Sequence, residues 1–345
     1  MESNAINIIL LNFNGSSDTI QCLNSIFLSD FDKIEITIID NNSKSEDYLN
    51  LRNYIYTTFN NCHEFYSDKN NIVLNDKKNK KVKTKNFKVN LIKSSINLGF
   101  ANGNNLGIEF GRKRKFNYFF IFNNDTEILK NTISILMNFL IKNRQYSVVT
   151  PQIRYFNQKN IIWNCGGFIK FYGKCKYLHQ SQDVNKIILK KKYDVTFITG
   201  CAMLIDLKKT GLFSNQYFFG EEDYDFSLRQ MKNNIKMGCI TDSIIFHKVN
   251  KTIDKTANNI SRIYYYYLCR IINLSNHYHY IHFYLLYFLI IIKLFWNSIF
   301  NLNISILKAI KNISYLINTY KNISKNNLLI DENIFKKYLI IKKWN

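Results

Sequence analysis

The stretch INIILLNFNG, residues 6–15, is an apolar, β-branched run that ends at an Asn-Gly pair. Runs of this kind are typical of buried strands, and Asn-Gly is a turn signal. Residues 16–29 then carry apolar side chains at helical spacing, and a second β-branched run, IEITIID, follows at 34–40. This order of strand, helix and strand predicts a βαβ unit and therefore a parallel sheet.

Polar clusters stand at the ends of the predicted strands. A weaker strand candidate covers 91–93, and FNYFFIFNND supplies a further one at 116–125. The clusters are Asn12 and Asn14, then Asp40-Asn41-Asn42, then Asn123-Asn124-Asp125. Because ligands of open α/β sheets bind at the carboxyl ends of the strands, we expect these side chains to share one site.

Composition indicates a folded, strongly basic protein. The 345 residues are 46% hydrophobic, which is enough for one large domain with an appendage or for two domains. Lys and Arg number 47 against 25 Asp and Glu, for a net charge of +22, so anionic surfaces are favoured partners. A nucleic-acid partner is not predicted, because the positive charge is spread along the chain, with its only dense run at 76–88, and no binding motif is present.

The seven cysteines predict neither a disulfide framework nor a zinc site. Their number is odd and no pair has CxxC spacing, so a reducing cytoplasm is expected. The apolar N-terminal run lacks a basic flank and a small-residue cleavage site, which favours a strand over a signal peptide.

Two segments differ from the rest of the chain. Residues 66–90 are rich in Lys and Asn, and we interpret them as a solvated, mobile insertion; the alternative is a basic patch that touches anionic lipid or a phosphorylated substrate. Residues 263–345 form an aromatic and basic region that we expect to be helical.

The stretch 282–300 is the most hydrophobic in the chain. Lys293 interrupts it, so its uncharged part falls short of the ~18 residues expected of a spanning helix. Aromatic residues flank it, and Lys308, Lys311 and Lys321 follow. This pattern favours an interfacial helix on a membrane surface, with an ordinary buried helix as the alternative.

An acidic cluster interrupts this basic chain. FFGEEDYDFSLRQ, residues 218–230, holds Glu221, Glu222, Asp223 and Asp225 at the start of a predicted helix. Crowded carboxylates raise each other's pKa, and such clusters are solvated surface, cation sites or acid/base machinery. His247 follows the apolar run CITDSIIF. Mg²⁺ and Mn²⁺ take oxygen ligands and Mn²⁺ also accepts imidazole, so Asp125 and His247 are candidate metal ligands.

Six motifs, taken in order and spacing, resemble the family 2 glycosyltransferases and most closely the bacterial rhamnosyltransferases of cell-surface polysaccharide assembly. They are LNFNG (11–15), IIDNNS (38–43), NLGFANGNNLGI (97–108), FNNDTE (122–127), TGCAMLI (199–205) and GEEDYDFSLR (220–229). The resemblance covers about residues 5–250. It implies a GT-A fold over 1–262, an α/β domain with a mixed, mainly parallel sheet flanked by helices, followed by the helical extension 263–345.

The resemblance also implies roles for individual residues. Phe13 would lie beside the nucleotide base, Asp40 would hydrogen-bond that base, and the loop 97–105 would shape the donor pocket. The donor-binding candidates are Phe13, Asn14, Asp40, Asn41, Asn97, Gly99, Phe100, Ala101, Asn104, Asn105, Asn123, Asn124 and Arg229. Asp125 matches the second acid of the family's DxD motif, in which Asn123 replaces the first, and His247 matches a late metal ligand. Asp223 matches the catalytic base, with Glu222 beside it.

The implied activity is an inverting transfer from a dTDP- or UDP-sugar, with dTDP-rhamnose as one candidate donor. The acceptor would be a saccharide or a lipid-linked saccharide, and the cofactor a divalent cation, Mg²⁺ or Mn²⁺. A cytoplasmic protein bound peripherally to the inner face of the cell membrane is expected. The alternative is a catalytically inactive, donor-binding scaffold of the same fold.

Overall fold

A computed structural model describes residues 4–68, 71–74, 87–249 and 259–340 of the chain. The strands are β1 (Ile6–Asn12), β2 (Ile34–Asp40), β3 (Asn61–Asp68), β4 (Asn71–Leu74), β5 (Lys88–Ser94), β6 (Tyr118–Phe122), β7 (Thr126–Ile128), β8 (Tyr146–Tyr155), β9 (Ile162–Asn164), β10 (Gly167–Ile169), β11 (Cys175–Tyr177), β12 (Lys192–Val195), β13 (Ala202–Asp206) and β14 (Lys236–His247). The helices are α1 (Ser16–Phe27), α2 (Ser45–Thr58), α3 (Gly99–Lys113), α4 (Thr132–Lys142), α5 (Leu207–Thr210), α6 (Glu222–Lys232), α7 (Asn259–His277), α8 (Tyr280–Phe300), α9 (Ile306–Asn326) and α10 (Glu332–Ile340).

A large mixed sheet organises the first three quarters of the chain. Its main path runs β12-β14-β8-β13-β6-β1-β2-β5-β3-β4, and β7 and β9 add to β14 and β8. The five neighbours β6, β1, β2, β5 and β3 are parallel, whereas β13 enters antiparallel beside β6. The predicted α/β architecture, with a mixed sheet flanked by helices, is confirmed.

The central strands are buried on both faces. Side chains from both faces of β1, including Ile8 and Ile9, are fully buried, as expected for a parallel strand covered by helices. Helix α3 lies close to this strand because Gly103 and Gly107 carry no side chain; a Cβ at Gly103 would stand 2.5 Å from Leu11. The first βαβ unit matches its sequence prediction closely.

Two regions differ from the interpretation of the sequence. Residues 97–105 were expected to form a loop, but the helix α3 begins at Gly99. The segment 66–90 overlaps the end of β3, all of β4 and the start of β5, so part of it is regular structure at the sheet edge; its residues 69–70 and 75–86 lie outside the described part. The polar sequence of β3, NCHEFYSD, carries little apolar periodicity, and pairing with β5 and β4 defines this strand.

The helices α7 to α10 pack around an apolar cluster of their own. Its fully buried members include Leu268, Ile271, Leu294 and Leu316. Helix α8 buries one side in this cluster and leaves large apolar side chains exposed on the other, among them Ile281, Leu285, Phe288 and Trp296. Within the described residues, α8 is the one helix whose length and hydropathy would allow it to cross a membrane, and only 22% of its apolar window is buried.

Candidate active site

The carboxyl ends of the parallel strands meet at one edge of the sheet. There β1 ends at Asn12, β2 at Asp40 and β6 at Phe122, in adjacent, parallel register. Because β13 is antiparallel to β6 and pairs Ala202 with Phe122, the turn that enters β13 lies at the same edge. Pairing of β14 with β7 sets His247 opposite Thr126. The polar clusters of the sequence therefore converge, as predicted.

Asp40 lies beneath the surface of this edge and holds two turns together. Its side chain has no exposed area. Oδ1 accepts a hydrogen bond from Asn12 Nδ2 at 3.0 Å, and Oδ2 accepts one from the Ser43 N–H at 3.2 Å. Burial raises the pKa of Asp40, and the bonds from Ser43 and Asn12 oppose that rise. The neighbouring Phe13 ring is 48% exposed, so it is the group here that a planar base can reach.

Asn14 and Asn124 also serve the turns around Asp40. Asn14 adopts a left-handed φ of 52° and accepts the Lys44 N–H at 2.8 Å. Asn124 Nδ2 donates to Thr19 Oγ1 at 2.8 Å, and Thr19 Oγ1 donates to Asn12 Oδ1 at 2.9 Å. Both side chains were predicted to bind the donor, and in the structure both form hydrogen bonds within the protein. Thr19 and Ser43 were missed, because a lone hydroxyl carries no signal in a sequence.

Asn41 anchors the start of α3. Its Nδ2 donates to Asn97 Oδ1 at 2.8 Å, and its Oδ1 accepts the Leu98 N–H at 2.8 Å. Gly99 has a φ of +72°, and a Cβ there would stand 2.0 Å from the Phe218 carbonyl oxygen. The Phe100 N–H donates to that same oxygen at 2.8 Å. The second strand end is thereby tied to the segment that precedes the acidic cluster.

The later polar residues of α3 face the protein. Asn104 is buried and its Nδ2 donates to the Phe100 carbonyl at 2.9 Å. Asn105 exchanges two hydrogen bonds with the Phe213 backbone, at 2.9 and 3.0 Å. Ala101 is fully buried. In the structure these three residues hold the helix and its neighbours in place.

Asp125 and His247 form the candidate metal centre. His247 Nε2 lies 3.2 Å from Asp125 Oδ1, and both side chains are more than nine-tenths buried. Among the described residues, neither Asp125 carboxylate oxygen accepts a hydrogen bond. Two buried carboxylate oxygens that accept no hydrogen bond, beside an imidazole, suit a divalent cation. No set of three or more His, Cys, Asp or Glu surrounds this point in the described part, so a cation would take further ligands from water or a diphosphate.

The acidic cluster is divided among different partners. Glu221 accepts two bonds from Arg270, from Nε at 2.5 Å and from Nη2 at 2.8 Å. Asp225 pairs with Arg229 Nε and with His277 Nε2, each at 2.8 Å. Burial alone would raise the pKa of Asp225, but His277 and Arg229 together bring it below its usual value. The sequence did not identify Arg270 or His277, both of which come from α7.

Asp223 is the carboxylate that faces the strand edge. It is partly exposed, and its Oδ2 accepts the Gly200 N–H at 3.0 Å. Glu222 is buried beside it. Burial raises the pKa of both carboxyls, and the charge of Asp223 raises that of Glu222 further. Asp223 therefore holds its proton into a higher pH range than an ordinary aspartic acid does.

The turn before β13 connects the two halves of the site. Gly200 donates to Asp223, and the next residue, Cys201, accepts the Asn123 N–H at 2.9 Å. Gly200 also packs against the Phe100 ring, 3.2 Å from where its Cβ would be. Two consecutive residues thus set the acidic cluster beside the turn that carries Asp125.

Arg229 makes its contacts with other groups of the protein. It was predicted to bind the donor, but Nε pairs with Asp225 and Nη2 donates to the Leu212 carbonyl at 2.9 Å. Both ends of its guanidinium are thus engaged within the protein.

Residues 48–209 match the model of glycosyl transferase family 2. This span covers just under half of the chain and is similar to that family. The matched span contains the motifs at 97–108, 122–127 and 199–205, whereas those at the first two strands and at 220–229 lie outside it. No curated protein matches the sequence.

Solved structures of similar fold include two transferases. GalNAc-T7 with UDP, GalNAc and Mn²⁺ superposes with a TM-score of 0.52 at 16% identity, over 78% of this chain and 48% of that one. The chain thus spans about half the length of that protein. The mannosyltransferase PcManGT from Pyrobaculum calidifontis, in complex with GDP-Man and Mn²⁺, gives 0.51 at 11% identity, over 97% of this chain and 84% of that one. At these identities the likeness shows the fold, which is GT-A.

Proposed function

We propose that this protein is an inverting glycosyltransferase that uses a nucleotide-sugar donor. The observation that carries the proposal is Asp223, a partly exposed carboxylate held at the strand-end edge by the Gly200 N–H. An inverting transfer needs one carboxylate that faces the acceptor hydroxyl. The family 2 domain and the GT-A fold support the same reaction class.

Asp223 is proposed to act as the general base. It accepts the proton of the acceptor hydroxyl as that oxygen bonds to the anomeric carbon and the nucleoside diphosphate departs. The Gly200 N–H donates to one carboxylate oxygen, Oδ2, and so orients the carboxylate. A base works best when its pKa lies near the working pH, and burial raises the pKa of Asp223 in that direction.

Asp125 and His247 would hold a divalent cation, Mg²⁺ or Mn²⁺. When bound, such a cation offsets the negative charge of the donor diphosphate. The support is that both buried Asp125 oxygens accept no hydrogen bond in the described part and lie next to the imidazole. Trp163 packs edge-on against the His247 ring, with centroids 4.7 Å apart, and so holds its orientation.

The donor is proposed to be a dTDP- or UDP-sugar, with dTDP-rhamnose as the first to test. The exposed Phe13 ring would stack on the base, beside the turn that Asp40 organises. The acceptor is proposed to be a saccharide of a cell-surface polysaccharide, free or lipid-linked.

A peripheral position on the cytoplasmic face of the membrane is proposed from α8. Its solvent side carries Ile281, Leu285, Phe288 and Trp296, each at least half exposed. An apolar face this long in a chain of net charge +22 suits an anionic bilayer surface. A lipid-linked acceptor would be presented at that surface.

The test is release of nucleoside diphosphate from a panel of nucleotide sugars, with Mn²⁺, Mg²⁺ or EDTA. We expect metal-dependent release from one donor, greatly reduced in Asp125→Ala and in Asp223→Asn. The matched control is Asp32→Asn, since Asp32 is exposed and precedes β2, at the opposite edge of the sheet. Release that is equal in Asp223→Asn and in the wild type would overturn the assignment of the base.

A donor-binding scaffold is the second candidate. It is favoured by Asn123 at the first DxD position and by the lack of a third ligating His, Cys, Asp or Glu beside Asp125 and His247 in the described part. A donor-induced rise in melting temperature without turnover, even with acceptor present, would support the scaffold over the enzyme.

A further inference from the structure

Arg270 of α7 makes a buried ion pair outside the matched family span. Its guanidinium binds both oxygens of Glu221, and the two side chains are 8% and 7% exposed. The guanidinium also lies 3.7 Å from the Tyr224 ring centroid and donates to the Gly173 carbonyl. A bidentate, buried pair of this kind fixes geometry strongly, because breaking it leaves an unpaired charge inside the protein.

Glu221 occupies an unusual backbone conformation directly before α6. Its φ is 71°, in the left-handed region, which is a strained conformation for a residue other than glycine. Helix α7 supplies the contacts that maintain it: Arg270 binds the side chain, and Asn273 Nδ2 donates to the Glu221 carbonyl at 3.0 Å. Tyr265 donates to the Phe219 carbonyl at 2.8 Å. Three residues of α7 thus define the turn from which α6 starts.

Asp223 lies in the first turn of α6, two residues after Glu221. The direction in which α6 starts therefore sets where the Asp223 carboxylate points and whether it reaches the Gly200 N–H. We propose that Arg270 is a positioning residue for glycosyl transfer: its pair with Glu221 fixes the start of α6, so that Asp223 meets Gly200 and the acceptor. This inference rests on the proposed function and makes the C-terminal helices part of the active site.

The groups around Asp223 affect its pKa, so the placement of Asp223 beside Glu221 and Arg270 can be tested by titration. Burial raises the pKa of Asp223 most; the charge of Glu221 raises it further, and the charge of Arg270 lowers it. Among the described residues, the charge of Asp223 also acts on the titratable groups of Cys175, Tyr177 and Cys201. Burial raises the pKa of all three, that of Cys175 to about 12, so they stay neutral near pH 7.

The Gly200 amide reports on Asp223 without any substrate. Its N–H donates to Asp223, so its NMR shift should follow ionisation of that carboxylate. Thr-Gly occurs twice in the chain, at Thr199-Gly200 and Thr210-Gly211. Labelling with ¹³CO-Thr and ¹⁵N-Gly therefore isolates two signals, and the exposed Gly211 serves as an internal reference. A Gly200 signal that does not titrate between pH 4 and 8 would remove the contact on which the proposal depends.

Arg270→Gln should raise the Gly200 titration midpoint by about 0.5 pH unit or more, because Glu221 is then unopposed. Glu221→Gln alone should lower it, and the double variant should return it toward the wild-type value. Arg270→Lys keeps the charge but loses the bidentate geometry, so its midpoint should shift less. Midpoints that coincide in the wild type, Arg270→Gln and Glu221→Gln would show that Arg270 only anchors α7. If Arg270→Gln does not fold, the Gly200 titration midpoint of Glu221→Gln still tests the proposal.

Kinetics then separate this inference from the proposed function. We expect Arg270→Gln to lower kcat at least tenfold with little change in the KM for donor, and to move the acidic limb of the kcat/KM profile upward with the NMR midpoint. A loss confined to the donor KM would overturn the positioning role. A wild-type protein without turnover would refute the proposed function alone, since the NMR titration tests the placement of Asp223 independently.

Discussion

Asp223 differs from the neighbouring carboxylates in what it contacts. Glu221 binds Arg270 and Asp225 binds Arg229, whereas Asp223 accepts the Gly200 backbone N–H at the open edge of the sheet. A cation paired directly with a carboxylate keeps it ionised but also occupies its oxygens. At the residue scale, Asp223 is therefore the acid of this cluster that we propose as the base, because no cation pairs directly with it among the described residues.

Asp223→Asn should lower kcat by about 10²–10⁴-fold, the usual contribution of a general base. The donor Kd should stay within about twofold, because the amide keeps the size of the side chain. In the wild type, kcat/KM should rise with pH through a limb above the ordinary aspartic acid value of 3.8, since burial raises the pKa of this group. Steady-state kinetics from pH 5 to 9 measure kcat and the pH limb, and equilibrium binding measures the donor Kd. A kcat/KM that stays constant down to pH 5 would contradict the assignment.

Gly99 is a second residue with a specific structural demand. Gly99→Ala should destabilise the protein by more than the ~1–3 kcal/mol of left-handed strain, because its Cβ would also overlap the Phe218 carbonyl oxygen. Gly211→Ala is the matched control, because its φ of +71° is the same but nothing lies within 4 Å of its Cβ. Chemical denaturation of the two variants isolates the steric part. Equal losses would show that the approach of α3 to Phe218 has no energetic role.

At the element scale, α8 has two different faces. One packs into the cluster shared by α7 to α10, where Tyr264 and Ser298 share a buried hydrogen bond of 2.8 Å. The other exposes apolar side chains at spacings of three and four residues. Since the four helices share one core, removing the chain after residue 275 would expose that core. Point substitutions on the outer face test membrane binding more cleanly.

Leu285→Glu and Phe288→Glu should each weaken binding to anionic vesicles about tenfold or more, because burying such a side chain contributes about 1.5–3 kcal/mol. Leu28→Glu is the control, since Leu28 is 68% exposed at the end of α1. Co-sedimentation with phosphatidylglycerol vesicles measures the change. Vesicle binding equal in all three variants and the wild type would refute the membrane role of α8.

At the scale of the whole molecule, Glu222 links stability to pH. Its pKa is raised above the ordinary value of 4.5, mainly by burial, so the folded protein binds a proton that the unfolded chain releases. The contribution of Glu222 to the free energy of unfolding is therefore complete below pH 4.5, the ordinary value. It is lost progressively as the pH rises into the neutral and alkaline range.

Glu222→Gln removes this dependence and should stabilise the protein by about 1 kcal/mol or more at pH 8. At pH 5 the difference from the wild type should be small, because the wild-type glutamic acid is protonated in the folded state. Thermal unfolding at pH 5, 6.5 and 8 gives the comparison. A stability difference that does not grow with pH would contradict the raised pKa.

The strand-end site was largely predictable, and the roles within it less so. Periodicity and turn residues placed Asp40 and Asp125 at strand ends, and parallel pairing brought them to one edge. The resemblance could not separate side chains that face a ligand from those that hold the scaffold. Asn105 and Arg229 fall in the second group, because each satisfies a backbone carbonyl elsewhere in the fold.

The sequence by itself determined the buried β1–α1–β2 unit and the acids at the strand ends, because these depend on local periodicity and turn chemistry. Tertiary structure alone decided how the acidic cluster is divided. Glu221 and Asp225 find Arg270 and His277 49 and 52 residues further along the chain. No local pattern encodes such pairs; they exist because α7 packs against α6, and that packing leaves Asp223 to face Gly200.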